Sequence, residues 1–252
     1  MSQAVDRKVV WITGASSGIG LALTKRYLDD GWRVLASARK QGELEPLIDK
    51  HQHLTFIPFD ITDDSQMDSV RDTLSSYSAH LDCAVLNAGT CEYLDMTDTD
   101  PDWKMMDRIM SVNFIGLVNS VEVCLPLLKK SLRPHLIGVS SQAVQAAFPQ
   151  AEAYGASKAA IRYFLSSLRM DLKQFNVDVT CLLPGFVDTP LTQKNTFSMP
   201  FLMSPDDAAK RMFSALESRP FEYAFPKRLT AMLWAGRHFP KLWLSMLAPK
   251  TK

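Results

Sequence analysis

Short runs of β-branched and aliphatic residues alternate along most of the chain with longer segments whose apolar positions recur every three or four residues. The runs at 8–13, 33–37 and 54–59 are each followed by a segment of helical period, at 19–30, 43–51 and 65–77. The rhythm continues to a last run at 179–183. Cys83–Leu86 and the run at 136–139 carry apolar residues at successive positions, the mark of strands covered on both faces, as in a parallel sheet. The pattern predicts an α/β fold in which a doubly wound parallel sheet lies between two helical layers, a three-layer α/β/α arrangement. No internal repeat, low-complexity tract or linker divides it, so residues 1–252 read as one domain. Two stretches break the rhythm. Residues 184–205, rich in Pro, Thr, Phe and Met, read as a long loop with short helical pieces, the kind that serves as a substrate lid. Residues 226–252 form an amphipathic, basic C-terminal extension.

The first predicted strand runs into Thr13-Gly14-Ala15-Ser16-Ser17-Gly18-Ile19-Gly20, which opens a helix. Glycines there permit a tight turn and let backbone N–H groups approach a pyrophosphate, with the helix dipole adding attraction for the anion. A glycine-rich strand-to-helix turn also exists without a ligand; the position after the first strand is what favours a Rossmann-like dinucleotide site, with Gly14, Ser16, Ser17, Gly18, Ile19 and Gly20 as its contacts. At the end of the second strand a carboxylate would pair with a ribose 2′-hydroxyl, whereas a basic group accommodates a 2′-phosphate. This chain has Ala38 there, followed by Arg39 and Lys40, which favours NADP(H) over NAD(H) through the planar guanidinium of Arg39. Asp60, closing the third strand, is placed to accept from an adenine amino group, though Asp is also ordinary turn chemistry.

Tyr154 and Lys158 stand four apart at the start of a long amphipathic segment and so share a helix face. A phenol is a poor acid–base at neutral pH, and an ammonium beside it stabilises the phenolate, which predicts a lowered Tyr154 pKa. Alone, the spacing equally describes a surface pair. Its company is Ser141, at the end of the strand at 136–139, where doubly wound folds place their ligands and where a hydroxyl can hold a carbonyl oxygen. Asn113 interrupts a helical pattern, and an amide that weakens a helix invites a functional reason such as anchoring a water.

Five motifs in order now resemble the short-chain dehydrogenase/reductase family in its compact branch: the TGxxxGxG loop, Asn87-Ala88-Gly89, Asn113, the Ser141/Tyr154/Lys158 set and Pro184-Gly185. The resemblance implies an oxidoreductase that moves a hydride between a nicotinamide and a carbonyl or secondary alcohol. By it Tyr154 is the acid–base, Ser141 orients the substrate oxygen, Lys158 lowers the tyrosine pKa while holding the nicotinamide ribose, and Asn113 holds a water. It further places Asp60 and Ile61 at the adenine, Asn87, Ala88 and Gly89 along the cofactor cleft, Val187 and Thr189 at the carboxamide or phosphates, and Pro184 and Gly185 among the cofactor contacts. It also implies a homodimer or homotetramer. Leu86 stands where the family often has a second Asn, and no Lys or Arg lies between the glycines, so cofactor choice rests on Arg39. A sugar-nucleotide epimerase would show different glycine spacing and a larger C-terminal part. The alternative from another class is a nicotinamide-binding sensor without turnover.

Composition narrows the partners. Lys and Arg total 28 against 27 for Asp and Glu, a net charge of +1, which gives nucleic acid no field to follow. The four cysteines are scattered without a CxxC pair, arguing against a metal site or a disulfide framework and for a cytoplasmic location. The start of the chain has no signal-peptide pattern, and no window reads as a spanning helix, which leaves at most peripheral membrane association. Apolar residues around the expected lid, Phe148, Phe186, Leu191 and Phe197 first among them, predict a small lipophilic carbonyl or alcohol substrate. The extension is open to three readings: contact with a membrane surface, with a neighbouring subunit, or with its own active-site entrance.

Overall fold

Val9–Thr13 is apolar at four of five positions and buried at all five, so strand β1 can exist only between neighbours in the middle of a sheet. In the computed structural model, which describes residues 7–195 and 197–248, β1 is flanked by β2 (Arg33–Ala38) and β4 (Cys83–Leu86). Outside them lie β3 (Leu54–Pro58) on one side and β5 (His135–Val139), β6 (Asp178–Pro184) and β7 (Glu222–Phe225) on the other. The seven strands run parallel in the order β3-β2-β1-β4-β5-β6-β7. The order reverses between β1 and β4, which opens a crevice at the carboxyl ends of these strands. The first six residues of the predicted domain and the last four of the predicted extension lie outside the described residues.

Helices cover both faces. The face bearing Val10, Ile12 and Val34 packs against α1 (Gly18–Asp29) and α7 (Pro205–Leu216). The face bearing Trp11, Leu35 and Ala84 packs against α3 (Met67–Tyr77), α5 (Gly116–Leu128) and α6 (Glu152–Leu172). This alternation along each strand is the period of two that a pleated strand imposes.

Three details depart from the pattern reading. The helix expected at 43–51 is a 3₁₀ turn at Gly42–Leu44 and a single turn α2 (Glu45–Ile48), because only Leu44 of this stretch is buried and little packing holds a longer helix. The strand β7 was unmarked by the rhythm: its side chains are half-buried except Phe225, as an edge position requires. The segment Met105–Leu128 is long and apolar enough to cross a membrane by length and composition, yet it lies on the sheet as a core helix. It runs as α4 (Met105–Met110), one π turn (Ser111–Ile115) and α5.

Beyond β7 the chain forms α8 (Lys227–His238) and α9 (Pro240–Leu247). Leu229 and Leu233, four apart, are buried on the inner side of α8. Trp243 of α9 donates from its indole to the Ala147 carbonyl at 2.7 Å and meets the Phe148 ring edge-on at 5.6 Å between centroids. These contacts bind the extension to the loop that follows β5.

Candidate active site

The glycine loop follows β1 at the crevice. Gly14 and Gly18 have φ of +65° and +53°, the left-handed region that side chains rarely adopt. A Cβ on Gly14 would lie 2.7 Å from the Ala88 Cα, and one on Gly20 would lie 2.1 Å from the Gly14 carbonyl oxygen. Asn87 closes the cradle, donating from its amide to the carbonyls of Thr13 and Gly14 at 3.3 and 3.2 Å. Ser17 occupies the N-cap of α1 without a capping bond from its hydroxyl. The first-turn N–H groups and that hydroxyl are thus left for an anion, beside half-buried Ser16 and Ile19. A Cβ on Gly18 would meet Thr189 Cγ2 at 2.9 Å, so the segment after β6 completes the wall of this loop. The space kept clear by these glycines fits a dinucleotide pyrophosphate.

At the end of β2, Arg39 and Lys40 are exposed, and Arg39 makes no ion pair among the described residues. The Glu43 N–H donates to the Ser16 carbonyl at 3.2 Å, which draws the segment after Arg39 against the glycine loop. One Asp60 oxygen is taken by local turn bonds from the Thr62 N–H and hydroxyl at 3.0 and 2.8 Å. Ile61 is buried against Gly116, so its side chain serves the packing of α5. Pro184 is buried at the end of β6; the Gly185 N–H donates to the Phe225 carbonyl at 2.8 Å; and Val187, buried, bridges to Met203 across the base of the following loop.

The reacting groups gather where β5 ends. The Ser141 hydroxyl oxygen accepts from the Ala143 N–H at 3.1 Å, which leaves its proton to donate elsewhere. Lys158 is buried, and its ammonium donates to the Val139 carbonyl at 3.0 Å and lies 5.8 Å from the centre of the Tyr154 ring. Its backbone carbonyl in turn accepts from the Ser140 hydroxyl at 2.8 Å, locking α6 to the strand end. Asn113 sits in the π turn with no solvent exposure; its amide donates to the Thr90 carbonyl at 3.0 Å and the Ser157 hydroxyl at 2.9 Å and accepts from the Thr90 N–H at 2.7 Å. The Asn113 side chain thus clamps the segment after β4 to helix α6. Single π turns recur at functional sites because they re-aim a side chain in this way. A Cβ on Gly89 would sit 3.1 Å from the Asn113 Oδ1 and 3.3 Å from the Lys158 Nζ, so Gly89 keeps the approach to both open.

The electrostatics reverse one expectation. Burial pushes the Tyr154 phenol up to about 12, with the Ser141 hydroxyl pulling the other way, and burial pulls the Lys158 ammonium down to about 8. Desolvation dominates, and Lys158 does not offset it, because its ammonium is bound to the Val139 carbonyl. At neutral pH the tyrosine is therefore a protonated donor and the lysine still a cation.

A partly open cleft with a volume of about 90 Å³ joins Ser141 and Tyr154 to a mostly apolar wall. The four residues expected at the substrate, Phe148, Phe186, Leu191 and Phe197, all line it. Leu229 and Leu233 close it from α8, in keeping with the reading of the extension at its own active-site entrance, whereas sequence reasoning missed the pair Tyr93 and Asn195, whose side chains are hydrogen-bonded at 2.5 Å across its rim. A tyrosine soon after Asn87-Ala88-Gly89, and so beyond the carboxyl end of β4, was the available signal for Tyr93.

The family model for short chain dehydrogenases matches residues 8–199. An uncharacterized oxidoreductase of Myxococcus xanthus is 36% identical over 223 residues, covering 86% of this chain and 87% of its own length. A benzil reductase ((S)-benzoin forming) of Saccharomyces cerevisiae is 35% identical over 192 residues, 73% of each chain. The crystal structure of a short chain dehydrogenase from Burkholderia cenocepacia in complex with NADP superimposes with a TM-score of 0.82 at 25% identity, covering 97% of this chain and 98% of that one. Matched in sequence from β1 through the lysine of α6 and in fold over nearly its whole length, the chain belongs to the short-chain dehydrogenase/reductase family and is an oxidoreductase acting on CH–OH groups with a nicotinamide cofactor.

Proposed function

We propose that this oxidoreductase uses NADP(H) to interconvert a lipophilic carbonyl compound and its secondary alcohol, with Tyr154 moving the proton. The observation that carries the reading is the cleft: Ser141 and Tyr154 face a mostly apolar wall that includes Phe148, Phe186 and Leu233, with Gln142, Thr192 and the Tyr93–Asn195 pair as its other polar groups. Reduction of benzil, an aromatic ketone, is what the yeast relative's name records, and a substrate of that kind suits such a wall. Ala38 in place of an acid at the end of β2, and the exposed Arg39 after it, support the 2′-phosphate form of the cofactor.

When bound, the nicotinamide supplies or accepts the hydride. The Ser141 hydroxyl, its oxygen already engaged by Ala143, donates its proton to the substrate oxygen and polarises it. Tyr154, kept neutral by burial, gives its proton to that oxygen as the carbonyl becomes an alcohol, and takes one back in the reverse direction. Lys158, a cation at neutral pH held 5.8 Å from the centre of the Tyr154 ring, contributes a positive field beside the phenolate that results. Residues 184–205, tied at their base by the Val187 and Met203 bridge, act as the lid. Four free, buried cysteines support a reducing cytoplasm, and exposed Ile115 of the π turn with Tyr163 and Met170 of α6 support a subunit contact.

The test is a titration of the protein with NADPH and NADH, then turnover of a panel of lipophilic ketones and aldehydes followed at the nicotinamide absorbance. Tight NADPH binding with turnover, lost by a factor of about 100 to 10,000 in Tyr154→Phe with binding retained, is the expected result. Full activity in that variant sinks the mechanism, and NADPH binding without turnover of any member favours a sensor.

A further inference from the structure

The inner side of α8 walls the cleft, but its outer side and most of α9 pack against nothing among the described residues. Trp234, Phe239, Leu242, Leu244 and Met246 are between 56% and 69% exposed, five bare large apolar side chains within thirteen residues. On α8, Lys227, Ala231, Trp234 and His238 form one outward row at helical spacing, opposite buried Leu229, Leu233 and Gly236. On α9, Trp243 turns inward to Gly236 and the Ala147 carbonyl, leaving Leu242, Leu244 and Met246 outside.

Charge identifies what this face meets. After Glu222 the sequence contains no acidic residue, while Lys227, Arg228, Arg237 and Lys241 are all exposed and make no ion pair among the described residues. A chain whose total charge is +1 therefore concentrates unopposed cations on the element that also bares its aromatic and aliphatic side chains. A twofold contact with a second copy would lay this patch on itself, cation against cation. Aromatic and leucine side chains ringed by Lys and Arg match an anionic lipid surface, where the rings enter the acyl boundary and the cations meet phosphate.

We propose that α8 and α9 dock the protein on an anionic membrane surface. Because Leu229 and Leu233 of the same helix line the cleft, docking sets the mouth of the active site beside the bilayer. The surface stands independently of the substrate reading, since its test needs no turnover.

The experiment is co-sedimentation of the full chain with phosphatidylcholine vesicles prepared with and without phosphatidylglycerol, at low and high salt. Expected is retention on the anionic vesicles that high salt reverses, with little on phosphatidylcholine alone. Replacing Arg237 and Lys241 by Glu should weaken retention by about fivefold or more per charge. Replacing Trp234 and Leu242 by Ala should weaken it without lowering the melting temperature, since neither packs in the core. Retention indifferent to lipid charge, or unchanged in both sets of variants, overturns the proposal. So does a concentration-dependent dimer that Trp234→Asp dissociates in a protein that ignores vesicles.

Discussion

Replacing Asn113 with alanine tests whether its amide is a structural clamp, because the side chain has no solvent exposure and makes three hydrogen bonds. Ser157 loses only a donor and still gives its own proton to the Tyr154 carbonyl. Thr90 loses both backbone partners, its N–H and its carbonyl, in a half-buried segment. A buried polar group left unpaired costs about 1–3 kcal/mol, so two at the lower half of that range give roughly 3 kcal/mol. In a chain of this size each kcal/mol moves the melting temperature by about 2–4 °C, which puts the expected fall at roughly 6–12 °C. Thermal unfolding followed by circular dichroism, without substrate, reads this directly. Asn113→Asp keeps the shape but sets a carboxylate against the Thr90 carbonyl, and should do no better than alanine. A melting temperature within about 2 °C of wild type for the alanine variant would refute the clamp.

Arg39→Asp should weaken NADPH by about 10- to 100-fold, the worth of a charge-assisted hydrogen bond, and NADH far less; equal losses in a fluorescence titration remove Arg39 from the 2′-phosphate. Gly20→Ala, whose Cβ would lie 2.1 Å from the Gly14 oxygen, should abolish cofactor binding. Gly155→Ala, with nothing within 4 Å in helix α6, should raise stability in urea by about 0.5–1 kcal/mol, and a loss there would show hidden crowding. Lys158 is held near 8, below its usual 10.5, so between these values the unfolded chain binds more protons than the folded one and stability rises with pH. Going from about pH 7 to about pH 9, wild type should gain roughly 1 kcal/mol relative to Lys158→Met in urea unfolding; no relative change would mean that the ammonium is not desolvated.

The strands were legible in the sequence because a parallel strand buried on both faces must be apolar at nearly every position, as Val9–Thr13 and Cys83–Leu86 are. The glycine loop was legible because a left-handed backbone and a close approach exclude side chains locally, and the pairing of Tyr154 with Lys158 because a helix turn places them together. Those are short-range constraints, written within a few residues of one another. Only the tertiary structure decided what lies across the gaps. Half-buried β7 follows no strict alternation and is defined by its pairing with β6. Leu229 and Leu233 showed an apolar face without showing that it closes the cleft over Tyr154, and nothing near Tyr93 announced Asn195. The pKa of Tyr154 turned on where the Lys158 ammonium points and how much water each group loses, and both are properties of the assembled site. Periodicity tells which face of an element is apolar; the packing of distant elements decides what that face meets.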